Sequence, residues 1–180
     1  LMSLLGRLFC YLPVGTIAFR LTLACAVQAA LAAAAVGLIT RRLVASAAQT
    51  SSPASLTTHV ACAVATLTAG WSYALLLQAV RTEVYALNAL CTLAAAYTLL
   101  ESGERGDRRY LLAAALITGL GLCNHHLLML LAVPGALLYL LLGWRRGAPL
   151  GGLHKRTAVG VLLAGLLGLT VLAYLPLRAA

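Results

Sequence analysis

Apolar residues in this chain run in long blocks rather than recurring at every third or fourth position, so its helices are expected to be apolar on nearly all sides. Crossing a bilayer core of about 30 Å takes roughly 20 apolar residues. Six blocks reach or approach that length, at about 21–40, 60–77, 84–100, 108–123, 127–143 and 157–174. The fourth and fifth belong to one run, Leu111–Gly143, of 33 residues. As a single helix it would measure about 50 Å, far more than the bilayer core. It is therefore divided at Asn124-His125-His126, which places those residues at a membrane surface. The leading "LMSLLGRLFCYLPVG" is too short to span. Leu1, Leu4, Leu5, Leu8, Phe9 and Leu12 form one apolar face with Arg7 off it, and Pro13 and Gly15 stop it, so residues 1–13 read as an interfacial helix. The fold expected is all-α: a polytopic transmembrane bundle of about six spans in a single membrane domain over residues 1–180.

Composition agrees. The chain is 62% hydrophobic and 9% charged, against about 25% charged in soluble domains. A net charge of +9 raises the question of nucleic acid. The basic residues, however, sit in pairs and triplets between apolar blocks, with no basic stripe interleaved with aromatics, so no nucleic-acid partner is expected. With six spans, one side receives Arg41, Arg42, Arg105, Arg108, Arg109, Arg145, Arg146, Lys155 and Arg156, nine of the thirteen basic residues. By the positive-inside rule that side is cytoplasmic. Treating Leu111–Gly143 as one span would erode the bias. The other side then holds Asn124, His125 and His126, together with Arg81 and Glu83. Of four acidic residues, Glu83 alone faces outward. The five cysteines form no CxxC pair and read as small buried hydrophobes.

Two polar clusters carry the candidate chemistry. In "QAVRTEVYALN", a third helix starting near Thr82 would make Tyr85 and Asn88 i,i+3 neighbours, with Asn88 one turn inside the apolar region. Glu83 would then sit in the first helical turn, favoured by the helix dipole, with Thr82 as cap and Arg81 offsetting its charge. That is a structural role; a polar group such as Asn88 placed near hydrocarbon argues for a functional one. In "GLGLCNHHLLML", adjacent helical residues diverge by about 100°, so His125 and His126 could not share a pocket on a helix. No metal site is expected from them. Either Asn124 caps the fifth span with one histidine at the interface, or Asn124 and one histidine face a ligand. No P-loop, GxGxxG, GxSxG or HExxH motif is present. Such a bundle would fit a transferase, a transporter or a receptor-like module.

A family resemblance separates these. "EVYALNAL" (Glu83–Leu90), then "GLGLCNHHLLML", then "YLPLRA" (Tyr174–Ala179), in this order and spacing, resemble the transmembrane O-mannosyltransferase family of the GT-C glycosyltransferase superfamily. The leading segment resembles the helix after that family's His-Pro-Pro-Gly-Tyr-Pro turn. The resemblance implies a GT-C-like integral membrane enzyme that moves a sugar, mannose in eukaryotic members, from a polyprenyl- or dolichyl-phosphate carrier. The acceptor would be a Ser or Thr hydroxyl of a protein on the luminal or periplasmic side. It needs no cofactor beyond that donor. Glu83, Tyr85, Asn88, Asn124 and His126 carry over, and Arg81, Arg178, His125 and His126 are placed to meet the donor phosphate. The family's acidic loop, expected to hold the catalytic carboxylate, falls upstream of Leu1, so these 180 residues read as the central bundle of a longer transferase and as inactive alone. The membrane would be the endoplasmic reticulum in a eukaryote and the inner membrane in a bacterium. A transporter or flippase is the alternative, disfavoured because span interiors offer only Gln28, Asn88 and hydroxyls. A non-catalytic membrane scaffold is the other.

Overall fold

The computed structural model describes residues 1–47, 56–145 and 155–173, without the side chains of residues 144, 145, 155 and 173. Among them the chain is helical throughout and forms no strand: α1 (Met2–Cys10), α2 (Ile17–Ala47), α3 (Leu56–Gly70), α4 (Tyr73–Val80), α5 (Tyr85–Arg105), α6 (Arg108–Arg145) and α7 (Lys155–Leu169), which ends in a 3-10 turn at Thr170–Ala173. Where the sequence reads as a single membrane domain, the chain gathers into two compact units, Met2–Leu93 and Ala94–Ala180.

In the first unit α2 is the central helix. It buries Ala24, Cys25, Gln28, Ala29, Ala32, Ala33, Ala35 and Gly37, while Ile17, Phe19, Leu31, Leu38 and Leu43 stay exposed. Small residues inside and large apolar residues outside suit a helix whose solvent is lipid, because close backbone approach then replaces hydrophobic burial as the source of contact. Gly37 meets Thr66 and Cys62 of α3, and Gly70 lies against Ala33, so α3 runs antiparallel to α2. The expected second span, 60–77, is interrupted. α3 and α4 are bent by 56° at Trp71-Ser72. Ser72 causes the break: its backbone is extended, its hydroxyl accepts the Leu75 N–H at 3.3 Å, and it donates to the Ala69 carbonyl at 2.7 Å. α1 is shorter than expected, and lies on α2 through the buried Gly6 against Leu21. Arg20 pins the connection, donating to the carbonyls of Cys10, Val14 and Gly15. Gly15 turns the chain at φ +54°, a left-handed conformation that favours glycine.

In the second unit α6 is not one rod. Leu99, Leu111 and Ala114 form a buried cluster, against which Ala136, Tyr139 and Leu140 pack. In a straight helix Leu111 and Leu140 would be about 43 Å apart. The chain reverses instead at His125, whose backbone leaves the helical region at φ −151°, ψ 91°. Residues 108–124 and 126–145 thus form two antiparallel arms. α7 runs parallel to the first arm, with Gly160 on Leu112, and Gly165 and Gly168 against Leu116–Leu120. By length and composition two helices, Ile17–Ala47 and Arg108–Gly143, are apolar enough to cross a membrane, or three if the bent α3–α4 pair counts as one span. α5 carries charges into its last turns and α7 is short, so neither passes that criterion, and Arg108–Gly143, which passes as one helix, breaks at His125 close to the expected division into 108–123 and 127–143.

Candidate functional site

The link between α4 and α5 holds Arg81, Glu83, Tyr85 and Asn88. Arg81 ends α4 in an extended conformation, and Glu83 donates its N–H back to the Arg81 carbonyl at 2.8 Å. α5 begins at Tyr85, not near Thr82. Glu83 therefore lies outside the helix, in a tight turn, and neither caps nor occupies the first turn. Both Arg81 and Glu83 are exposed, and neither side chain forms an ion pair among the described residues. The Glu83 carbonyl meets the Cys25 thiol at 4.0 Å, a weak tie to α2. Tyr85 is partly exposed at the start of α5, while Asn88 one turn on is 4% exposed. Its main-chain N–H continues the helix to the Val84 carbonyl, but its side-chain oxygen is buried with no hydrogen-bond partner among the described residues. In the same unit, α2, α3 and α4 line an open apolar cavity of about 380 Å³, with Ala26, Ala29, Thr66, Gly70, Trp71 and Leu75 among its walls.

The α6 turn holds Asn124, His125 and His126. Here the backbone decides the roles. Because His125 is extended, the 100° divergence expected of neighbours on a helix does not apply, and the two imidazoles lie nearly parallel with centroids 6.2 Å apart. His125, rather than Asn124, caps the second arm: its Nδ1 accepts the Leu128 N–H at 3.4 Å, the position an N-cap side chain serves. His126 is exposed, and Asn124 is half-buried with its side-chain oxygen shielded from solvent. Met129, one turn on, is fully buried at 1% exposure. The Cys123 thiol donates to the carbonyls of Gly168 and Leu169 at 3.3 and 3.6 Å, tying the turn to the end of α7. Glycine makes that approach possible, since a side chain on Gly168 would meet the Leu116 carbonyl at 2.5 Å and the Leu120 nitrogen at 2.8 Å.

The predicted site residues thus fall into two groups, Arg81, Glu83, Tyr85 and Asn88 in one unit and Asn124, His125 and His126 in the other. Arg178 lies outside the described residues, as does the "YLPLRA" motif. Among the described residues no three His, Cys, Asp or Glu side chains converge as a metal site would require. Sequence reasoning missed Glu101 and Ser102, both 0% exposed near the end of α5, where Glu101 pairs with Arg105 one turn on. They lie in a stretch rich in charge, and the Tyr139 side chain packs over the neighbouring Gly103.

A model of the family described as protein O-mannosyl-transferase TMEM260 N-terminal domain matches residues 1–147. No curated protein and no solved structure matches the chain.

Proposed function

Since this chain belongs to the protein O-mannosyltransferase family of the TMEM260 N-terminal domain type, and so to the glycosyltransferases, we propose that it forms the donor-binding part of an enzyme using a polyprenyl-phosphate sugar. The acceptor is a protein Ser or Thr hydroxyl on the luminal or periplasmic side. The family match over residues 1–147 carries this reading. In the reaction, the bond between the anomeric carbon and the carrier's phosphate oxygen breaks. A bond from that carbon to the acceptor oxygen forms, polyprenyl phosphate leaves, and a carboxylate takes the hydroxyl proton. We assign that carboxylate to the family's acidic loop rather than to Glu83.

The chain's own residues serve binding in this reading. Arg81, an exposed cation without an ion-pair partner among the described residues, suits the donor phosphate. Glu83 and the buried Asn88 oxygen suit sugar hydroxyls, which donate hydrogen bonds. The apolar cavity between α2, α3 and α4 has the character an isoprenoid chain requires. The test is sugar transfer by the full-length protein carrying Glu83→Gln or Asn88→Leu. Each should lose transfer by roughly 10²-fold, of the order of a positioned polar group acting in the transition state, with expression and membrane insertion retained. Unchanged transfer in both would remove the site assignment and leave the family standing.

A further inference from the structure

The end of the second unit opposite the His125 turn carries a different chemistry. The first arm of α6 and α7 run parallel, so both helix N-termini open at this end. Between them lies a cavity of about 350 Å³ lined by Arg108, Arg109, Leu112, Arg156, Thr157 and Gly160. Leu112 and Gly160 close its floor in near contact. The three arginines are exposed, and none forms an ion pair among the described residues. Of the acidic groups nearby, Glu101 pairs with Arg105, while Asp107 caps the start of α6 by accepting the main-chain N–H of Arg109 at 2.9 Å, so one carboxylate stands beside three guanidinium groups and leaves a net positive charge at the cavity. Thr157 lines the cavity at only 8% exposure, and its hydroxyl makes no hydrogen bond with another described residue. The Thr157 oxygen is not among the sealed-off, unpartnered polar atoms of the described residues, so its hydroxyl keeps access to the outside and is open to a ligand's acceptor beside the three arginines.

We propose that this cavity binds the phosphate of an anionic phospholipid headgroup. Three guanidinium groups match phosphate oxygens in charge and geometry, and the N-terminus of α7 adds its positive end. A lipid suits the site better than free phosphate. The floor is apolar, and α7 leaves Val159, Leu162 and Leu163 exposed along its length, where acyl chains can lie. Basic pockets between membrane helices on the arginine-rich side are where such headgroups bind. The proposal is independent of the sugar-transfer reading and needs only membrane insertion.

The experiment is native mass spectrometry of the detergent-solubilised protein titrated with phosphatidylglycerol or with phosphatidylcholine of the same chains. Phosphatidylglycerol should bind roughly ten-fold more tightly or better, as several arginines acting on one anion imply. Arg108→Gln with Arg156→Gln should abolish the preference, and Thr157→Val should weaken it by a smaller factor. Arg41→Gln with Arg42→Gln, which removes the same charge elsewhere, should leave it intact. Equal binding of the two lipids by the wild-type protein overturns the proposal, whatever the variants do. So does an equal loss in the Arg41/Arg42 control, which would make the attraction diffuse. Displacement of phosphatidylglycerol by an equal concentration of inorganic phosphate would make the site one for free phosphate and overturn the lipid assignment.

Discussion

The link at residues 81–88 and the turn at residues 123–128 both set polar groups at the ends of apolar helices, and each buries one amide oxygen, that of Asn88 and that of Asn124, without a hydrogen-bond partner among the described residues. They differ in the groups around that amide, which at the turn find partners within the fold. Cys123 donates to carbonyls of the neighbouring helix, His125 accepts the Leu128 N–H, and its ring stacks on His126. At the link, Arg81 and Glu83 stand exposed without ion pairs among the described residues, and the Asn88 oxygen is buried without a hydrogen bond. A polar group satisfied within the fold is already spent on structure, whereas one awaiting an outside partner can contribute binding energy. The difference gives His125 a structural role as a helix cap and leaves Arg81 and Glu83 open to a partner from outside the described residues.

Substitutions at the two regions can break or sharpen that contrast. The largest effect on folding is expected beneath the turn, where Gly168→Val would drive a side chain into the Leu116 backbone. It should cost about 3 kcal/mol or more, or prevent recovery of folded protein, measured by thermal unfolding in detergent. Gly135→Ala, with nothing within 4 Å of the added carbon, should instead be neutral or stabilise by about 0.5–1 kcal/mol. At the link, Asn88→Leu should leave stability unchanged or raise it by about 1 kcal/mol while lowering sugar transfer, since an unpartnered buried amide is replaced by an apolar group of similar size. A large loss of stability would mean the amide is held by the protein, and the contrast would fail. At the cap, His125→Ala should cost about 1 kcal/mol, and His125→Asn should recover most of it. Transfer unaffected by His125→Asn, beside the loss in Glu83→Gln, would complete the separation of the two roles.

Much of the secondary structure was legible. Each apolar block carries a helix, because a segment with few polar side chains must satisfy its backbone internally wherever it is taken out of water. Local breaks were less so. Ser72 is a good N-cap, but within "AGWSYALLL" it reads as one hydroxyl in an apolar block, and only the extended backbone there bends α3 away from α4. Glu83 showed the reverse error. Thr82-Glu83 looks like the start of a helix, yet the helix waits until Tyr85, with Ala86 packed beside Cys25 and Ala29. Of the candidate site, the residue types and their clustering were readable, but not which of them the fold consumes. The histidine pair is the clearest case, since the argument that the two rings diverge assumed a helical backbone that His125 does not adopt.

The sequence by itself determined the class of the molecule: an all-helical membrane protein of the O-mannosyltransferase family, with its cations in short turns and its polar clusters at helix ends. Those properties follow from composition and order along the chain, which hydropathy and charge report directly. Only the tertiary structure decided that α6 folds back on itself through Leu111, Ala114 and Tyr139. It alone paired Gly119 with Gly165 and Gly168, and it alone gathered Arg108, Arg156 and Thr157 around one cavity. Each of these depends on residues about 25 to 50 positions apart meeting in space, and a local pattern holds no record of which surfaces will meet.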